Sequence, residues 1–485
     1  MRGTRRALLL LLFMFAVALP VQAQITDVTF GGKIEQLLQE NDDLDGAIAS
    51  ISVRDATTGK LLYDHLGDLR LRPASNLKLV TAAAALEVLG EDYVFSTELF
   101  KDGERFWKLI IGNVYIKGKG DPSLVNDDFN ELAAQLRERG VSYIHGDLVA
   151  DDTWYDDVRY SIDLPWSDET APYGGQVSAL TASASNEEDV GTVTVEVRPG
   201  KELGEKATVT LCPKNNYVSI KNQTNTVDSG HAEPLTVERI HGTNTVVISG
   251  EVAITSDGDT ATIAIWEPTG FALDLFKHAL QEQGIRWRGD LRFGETPDGT
   301  DVLYSHVSKP LAEQLVPFLK HSFNGYGEMF IKEIGRISKG EGSWDAGIDV
   351  VEEVLIRFGV DPKTVVIRDG SGISHVNLIP ANELTNLLYA IQDQSWYPTF
   401  LNALPVAGAS DKEIGGTLSK RMNDLASQGN VRAKTGTIST VSSLSGYVTT
   451  KSGDELIFSI ILNNLTNGSK AKAIEDKIAT ILANA

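Results

Sequence analysis

The chain has 485 residues, which at about 150 residues per domain predicts roughly three domains. Its composition, 42% hydrophobic and 23% charged residues, excludes wholesale disorder and a collagen-like chain. It carries 44 Lys and Arg against 66 Asp and Glu, a formal net charge of −22 with no local concentration of basic residues, so nucleic acid is excluded as an expected partner.

The first 23 residues are typical of a secretory signal peptide. A basic region precedes the apolar run Ala7–Leu19, and Val21 and Ala23 supply small residues at the usual cleavage positions. An uncleaved membrane anchor is the alternative, although the run is shorter than the ~20 residues of a spanning helix. No later segment approaches that length. We therefore expect an exported protein without a stable membrane span, located in a periplasm or a cell-wall space.

The start of the mature chain predicts a helix, a hairpin and a second helix. Ile34–Gln39 has helical apolar spacing, Ala47–Arg54 alternates as a strand, and Lys60–His65 follows after a turn. Ser75–Leu89 is apolar on nearly every side, which indicates a helix buried in a sizeable core.

Ser75 and Lys78, at the start of this buried helix, have the spacing of a nucleophile and its base. Positions i and i+3 lie on one helix face, and a lysine can take a serine proton when burial lowers its pKa. The helix N-terminus adds free N–H groups for a developing oxyanion. The pattern is weak alone, because Ser469 and Lys472 repeat it in a segment that we interpret as a solvated linker.

The segment Glu91–Asp301 differs in character from both chain ends. It is rich in Asp, Gly, Thr and Val and contains short alternating stretches such as Thr192–Val197 and Thr245–Thr255. These features predict inserted, mainly β modules.

Ser322 and Asn324, in a Ser-Phe-Asn sequence after the insertion, form a second polar group. The serine hydroxyl can relay a proton to a leaving amine, and the asparagine amide can hold a substrate carbonyl. Three residues of this kind are nearly uninformative alone, since a polar turn or a helix cap would contain the same sequence.

The end of the chain predicts three strands and a helix: Asn430–Ser439, Ser443–Thr450, Leu456–Asn463 and Ala471–Leu482. Together with the elements at the start, they predict one discontinuous domain with an antiparallel sheet under terminal helices. The first of these strands carries Lys434-Thr435-Gly436-Thr437, in which the lysine and the hydroxyls of Thr435 and Thr437 can bind a carboxylate. Gly436 permits close backbone approach, and an edge strand here can receive an extended peptide.

Several other catalytic arrangements are missing from the sequence. It contains no G-x-S-x-G, H-E-x-x-H or P-loop motif and no G-x-G-x-x-G after a strand. The histidines are scattered, and the single Cys212 excludes an intramolecular disulfide and a cysteine-built zinc site. A histidine-dependent serine hydrolase therefore has no support.

The order S-x-x-K, S-x-N, K-T-G resembles the active-site set of penicillin-recognising serine enzymes, the D,D-peptidases and β-lactamases. The long insertion between Ser75 and Ser322 is similar to that of class C low-molecular-mass penicillin-binding proteins, the D-alanyl-D-alanine carboxypeptidase/endopeptidase family. Gly120–Leu124, Asp369–Ser374 and Leu444–Tyr447 also match this family. The resemblance covers essentially the whole mature chain.

The resemblance implies an α+β multidomain fold. Its transpeptidase/β-lactamase-like domain, an antiparallel sheet flanked by helices, is expected from both chain ends, residues 24–90 and 302–485. Two mainly β domains are expected to be nested between them, residues 91–160 with 263–301 and residues 161–262.

The resemblance also implies the chemistry. Ser75 attacks a peptidoglycan stem peptide with Lys78 as base, and Ser322 passes the proton on. Asn324 and Lys434-Thr435-Gly436-Thr437 bind the substrate. β-Lactams are expected to acylate Ser75 as covalent inhibitors, and no metal or organic cofactor is implied. A β-lactamase and a non-catalytic penicillin- or wall-binding protein are the alternatives.

Three residues bear on substrate preference by resemblance. Asp151, after a Gly-Asp-Leu strand, is expected to hold the amino end of a diamino-acid side chain, although a surface acidic turn is the alternative. His375 stands where many family members have arginine, so its positive charge is less reliable. Phe323 replaces a small polar residue and is expected to change only the wall of the cleft.

Overall fold

The structure is a computed structural model, and it describes residues 29–230 and 233–485. The predicted signal peptide lies outside the described residues. The helices are α1 Phe30–Gln39, α2 Leu77–Val88, α3 Asn126–Glu138, α4 Pro268–Glu282, α5 Leu311–Val316, α6 Asn324–Lys339, α7 Trp344–Arg357, α8 Ala381–Ala390, α9 Tyr397–Ala403, α10 Lys412–Gly415 and α11 Gly468–Ala483.

The strands begin with those of the first half of the chain, β1 Ile48–Asp55, β2 Leu61–His65, β3 Ser96–Lys101, β4 Glu104–Phe106, β5 Leu109–Ile111, β6 Val114–Gly118, β7 Tyr143–His145, β8 Leu148–Asp151, β9 Thr192–Arg198 and β10 Thr208–Cys212. The remaining strands are β11 Ser219–Val227, β12 Thr236–Arg239, β13 Thr245–Ala253, β14 Asp259–Ala264, β15 Arg286–Arg288, β16 Leu291–Phe293, β17 Asp301–Val307, β18 Val431–Ile438, β19 Val441–Thr449 and β20 Glu455–Asn463. The helices and strands predicted at both chain ends are confirmed, with bounds that differ by a few residues.

The central sheet joins the two ends of the chain. Its strand order is β18-β19-β20-β1-β2, antiparallel throughout, so β18 forms one edge. Helices α1 and α11 pack together on one face, and α8 packs against β1 and β20. Alternation along each strand sends apolar side chains to both faces, which explains why β19 and β20 are buried along most of their length.

Helix α2 lies inside the protein, as its composition predicts. Every residue from Leu77 to Leu86 is buried, and the helix packs against α6 and α7. Each buried leucine contributes about 1.5–3 kcal/mol relative to exposure. The helix ends before Gly90, whose φ of 86° is the left-handed conformation common after a helix end. This core holds the Lys78 side chain rigidly.

Between β2 and α5, the described residues form four further sheets, with orders β16-β8-β6-β3-β17, β15-β7-β5-β4, β10-β9-β14 and β11-β13-β12. Helices α3 and α4 accompany the strands and pack against each other, so this segment is less purely β than its composition predicts. Parallel pairs such as β6 with β8 require a crossover connection, and α3 supplies it. The buried face of α3, with Phe129, Leu132 and Leu136, has the helical spacing that composition alone does not reveal.

The predicted α+β class is confirmed, whereas the three domain limits stay a prediction. One helical turn of the insertion, Pro172–Gly174, packs against α6 and so brings the insertion to the end of the helix that begins at Asn324. Among the described residues, no helix combines the length and apolarity that a membrane crossing requires.

Candidate active site

Ser75 lies on a strained turn at the entrance to α2. It is the middle residue of the helical turn Ala74–Asn76, and Ala74 has a φ of 47°, unusual for a residue with a side chain. The Ser75 side chain is half-buried, next to the fully buried Lys78. The turn therefore presents the hydroxyl to an open groove while its backbone stays in the core.

Lys78 makes three hydrogen bonds through its Nζ atom. It donates to Ser75 Oγ at 3.0 Å, to Asn324 Oδ1 at 2.6 Å and to the Ser371 carbonyl at 2.8 Å. The two side chains are thus in direct contact, although Ser75 lies in the turn before α2 and not on the helix itself. Burial lowers the pKa of Lys78 to about 8, so its neutral form is accessible near neutral pH.

Three buried carboxylates act against this effect of burial. The charges of Asp189, Glu328 and Asp369 favour the protonated form of Lys78. Burial and the neighbouring charge of Glu328 raise the pKa of Asp369 to about 7. Glu328 accepts the backbone N–H of Ser371 at 3.0 Å, which holds the carbonyl that binds Lys78. Two opposing effects therefore set the pKa of Lys78: desolvation lowers it, and the nearby negative charges raise it.

Ser322 and Asn324 occupy the wall opposite α2. Ser322 has a φ of 66°, again uncommon for a residue other than glycine, and its Oγ accepts a hydrogen bond from Lys434 Nζ at 2.8 Å. Asn324 donates through its amide to the Tyr173 carbonyl at 2.9 Å, besides accepting from Lys78. Its amide oxygen therefore positions Lys78, and one of its two amide N–H groups is engaged by the protein.

Lys434 reaches the site from the edge strand β18. Its side chain is fully buried and also donates to the Thr435 carbonyl at 2.8 Å. Burial and the charge of Lys78 lower the pKa of Lys434 well below its ordinary value. Two lysines thus share one buried site, and the charge of Lys78 favours the neutral form of Lys434.

Gly436 allows β18 to lie directly against the nucleophile turn. A Cβ atom built on Gly436 would lie 2.8 Å from the Pro73 carbonyl oxygen and 3.0 Å from the Ser75 nitrogen, and 2.2 Å from Ser443 Oγ. Such contacts are closer than real Cβ atoms make. The close backbone approach that the sequence predicts for Gly436 is therefore a requirement of the packing.

An open groove of about 300 Å³ lies above these residues. It is lined by Ser75, Ser322, Thr435 and Thr437. Three residues outside the motifs also line it: Thr417, Arg421 and Lys472. The hydroxyl of Thr435 donates to Thr417 Oγ1 at 2.8 Å, which places Thr417 next to the Lys-Thr-Gly strand.

Asp151 does not fit the expected role. Its side chain is fully buried, and its Oδ2 lies 2.9 Å from Lys117 Nζ and accepts the Thr296 backbone N–H at 2.7 Å. Although burial alone would raise it, hydrogen bonds from Thr296 and Thr153 and the Lys117 contact hold the pKa of Asp151 below its ordinary value. The expectation of substrate contact is corrected: Asp151 is a satisfied structural carboxylate.

His375 is half-buried beside Arg72, whose Nη1 lies 3.5 Å from His375 Nδ1. Burial and the charge of Arg72 lower the pKa of His375, and the charge of Asp168 acts in the opposite direction. Asp168, an acidic residue of the insertion that the sequence analysis did not select, is thus near enough for its charge to act on His375. No spacing in the sequence connects the two, because they meet only in the folded protein.

Asp189 is a second residue that the sequence analysis missed. Its carboxylate is buried and accepts the backbone N–H groups of Asn324 at 2.6 Å and Gly325 at 3.0 Å, at the start of α6. Desolvation on burial raises its pKa to about 6, against the pull of these N–H groups and of Lys78. Asp189 is therefore a positioning residue that links the insertion to Asn324 and Lys78.

Replacing Asp189 with asparagine is expected to lower the acylation rate about tenfold, because the cap of α6 is weakened. It also removes a charge that favours protonated Lys78, so the rising limb of the pH–rate profile is expected to shift by roughly one unit toward lower pH. Glu187→Gln, at an exposed acid two residues away, is the control. A rate loss without a shift of the profile would leave Asp189 with a purely structural role.

Comparisons with known proteins agree with this arrangement. The model of the D-Ala-D-Ala carboxypeptidase 3 (S13) family matches residues 31–485. A D-alanyl-D-alanine carboxypeptidase of Actinomadura sp. is 42% identical over 447 residues, which cover 92% of this chain and 82% of that protein.

Two solved structures share the fold. Penicillin binding protein 4 from Haemophilus influenzae matches with a TM-score of 0.81 at 22% identity, covering 93% of this chain and 99% of that one. The same protein complexed with a β-lactam matches with a TM-score of 0.76 at 23% identity, covering 93% and 100%. At these identities the likeness concerns the fold.

Proposed function

Because this chain belongs to the D-Ala-D-Ala carboxypeptidase 3 (S13) family, we propose that it is a serine D,D-peptidase acting on peptidoglycan stem peptides. It removes the terminal D-alanine, cleaves D,D-cross-links, or does both. The observation that carries the proposal is the 3.0 Å hydrogen bond between the buried Lys78 Nζ and Ser75 Oγ at the base of an open groove. This pair supplies an activated nucleophile without a histidine.

In the proposed acylation, Ser75 Oγ attacks the carbonyl carbon of the penultimate D-alanine. The Oγ proton moves to Lys78 Nζ, a new C–O bond forms, and the C–N bond to the terminal residue breaks. Ser322 Oγ, held by Lys434, passes the proton that Lys78 took from Ser75 on to the departing nitrogen, which leaves Lys78 neutral again. Water then attacks the ester and gives a proton to Lys78, the bond to Ser75 Oγ breaks, and Lys78 returns the proton to Ser75 as the shortened peptide leaves.

Binding of the substrate is assigned to the edge of the sheet. The terminal carboxylate lies against the hydroxyls of Thr435 and Thr437, next to the Lys434 side chain. Backbone N–H groups of Ser75 and Thr437 point to the oxyanion, each worth about 3 kcal/mol in the transition state. β18 is an edge strand whose first residues, Val431 to Ala433, bond residues 405–407, so an extended peptide can add alongside its second half.

β-Lactams are proposed to acylate Ser75 because they present a carbonyl and a carboxylate at a separation similar to that in D-Ala-D-Ala. The test is intact mass after incubation with a penicillin, followed by peptide mapping, together with release of D-alanine from a synthetic D-Ala-D-Ala peptide. We expect one stable adduct on the peptide containing Ser75, and D-alanine release. Rapid loss of penicillin without an adduct would instead indicate a β-lactamase, and neither reaction would indicate a non-catalytic wall-binding protein.

We also propose that the protein is exported to a periplasm or a cell-wall space, where its substrate lies. The basic and apolar pattern of residues 1–23 supports this proposal. Amino-terminal sequencing of the protein from its native cells is expected to begin near residue 24. A start at Met1 would contradict cleavage.

A further inference from the structure

The groove has more lining residues than the proposed chemistry uses. Its volume of about 300 Å³ is at the lower limit for small-ligand pockets. Besides Ser75, Ser322, Thr435 and Thr437, it is lined by Thr417, Arg421 and Lys472. None of these three residues has a role in the chemistry described above, so the space and its charges need another explanation.

Arg421, one of the residues that line the groove, is held in a fixed orientation. Its Nε atom donates to Asp476 Oδ1 at 2.9 Å, and its Nη2 atom donates to Glu475 Oε2 at 2.8 Å and to the Lys472 carbonyl at 3.2 Å. Glu475 is fully buried, so the guanidinium is anchored from the side of α11. Within residues 29–230 and 233–485, Nη1 makes no hydrogen bond, which leaves one donor edge for a ligand.

Lys472 adds a second cationic side chain next to Arg421, whose Nη2 atom bonds its carbonyl. It lies on the first turns of α11, its side chain is exposed, and its Nζ atom forms no ion pair with any described residue. A fixed guanidinium edge beside an unpaired ammonium is an arrangement that suits a carboxylate. The hydroxyl of Thr417, which accepts from Thr435, adds to the polar lining of the same groove.

We infer that Arg421 and Lys472 form a subsite on the leaving-group side of the groove, which binds a second carboxylate on the departing peptide. This inference rests on the proposed D,D-peptidase function. A departing D-alanine has only the carboxylate that Thr435 and Thr437 bind. The departing strand of a D,D-cross-link is longer and carries further carboxylates, so the subsite favours cross-linked substrates over monomeric pentapeptides.

The test uses three acetylated peptides that differ only in the last residue: D-Ala-D-Ala, D-Ala-D-Glu and D-Ala-D-Gln. The last two have the same size and differ by one carboxylate. We expect the wild type to cleave the D-Glu peptide about fivefold more efficiently than the D-Gln peptide, the effect of one exposed charge contact. The preference is expected to fall as ionic strength rises.

In Lys472→Gln the ratio of kcat/KM for the D-Glu peptide to that for the D-Gln peptide is expected to approach one, and in Lys472→Glu to fall below one. Lys477→Gln, an exposed lysine on the same helix outside the groove, is expected to keep the wild-type ratio. An unchanged ratio in Lys472→Gln, or no preference in the wild type, would overturn the subsite. If the wild type cleaves none of the three peptides, the proposed function itself fails, and the subsite with it.

Discussion

Replacing Ser75 with alanine is expected to abolish the penicillin adduct and to lower D-alanine release by roughly 10⁴- to 10⁶-fold. The proposed reaction uses the hydroxyl and the backbone N–H of Ser75, and alanine removes the hydroxyl alone while fitting the same turn. The thermal midpoint is expected to change little, because the change removes one half-buried hydroxyl. Intact mass, D-alanine release and thermal unfolding of the same preparation measure all three effects.

Ser469→Ala is the matched control for this prediction. Ser469 has the same S-x-x-K spacing to Lys472, but it is exposed at the start of α11. The control is expected to form the adduct and to release D-alanine as the wild type does. An adduct that persists at full yield in Ser75→Ala would place the nucleophile elsewhere and refute the assignment.

The parts of the site that the sequence predicted are those set by local geometry. Ser75 and Lys78 are three residues apart, so their side chains lie close together. The helix that follows is apolar on nearly every side and is therefore buried, which removes Lys78 from water. Both features follow from a short stretch of sequence. The strand with Lys434 is likewise recognisable from its alternation of apolar and polar residues. In each case neighbouring residues along the chain decide the contact.

The parts that were missed depend on contacts between distant segments. Asp189 is one of 66 acidic residues, and only its burial against the start of α6 distinguishes it from the exposed ones. Asp151 is the opposite case, because the sequence analysis selected it and the structure buries it against Lys117. It ends strand β8, where side chains alternate between faces, so its position in the sequence does not tell whether it points to a groove or to Lys117.

Replacing Lys78 with methionine is expected to lower the acylation rate about 10³- to 10⁴-fold, the contribution of a well-placed general base. Lys78→Arg is the informative companion, because it keeps the positive charge but cannot lose its proton near neutral pH. We expect both variants to be nearly inactive. Retained activity in Lys78→Arg would show that the charge of Lys78 matters and its basicity does not. Thermal unfolding must accompany both, since either change disturbs three buried carboxylates.

The pH dependence of the acylation rate distinguishes the general base, Lys78, from the neighbouring groups that shift its pKa. Only the neutral amine accepts the Ser75 proton, so with a pKa of about 8 the wild-type rate is expected to rise about tenfold per pH unit below that value and to level off above it. Burial sets this low pKa, and the buried acids prevent it from falling further. The limb is therefore expected to shift toward lower pH in Asp189→Asn and to disappear in Lys78→Met. A rising limb near pH 8 that persists in Lys78→Met would mean that another group is the base.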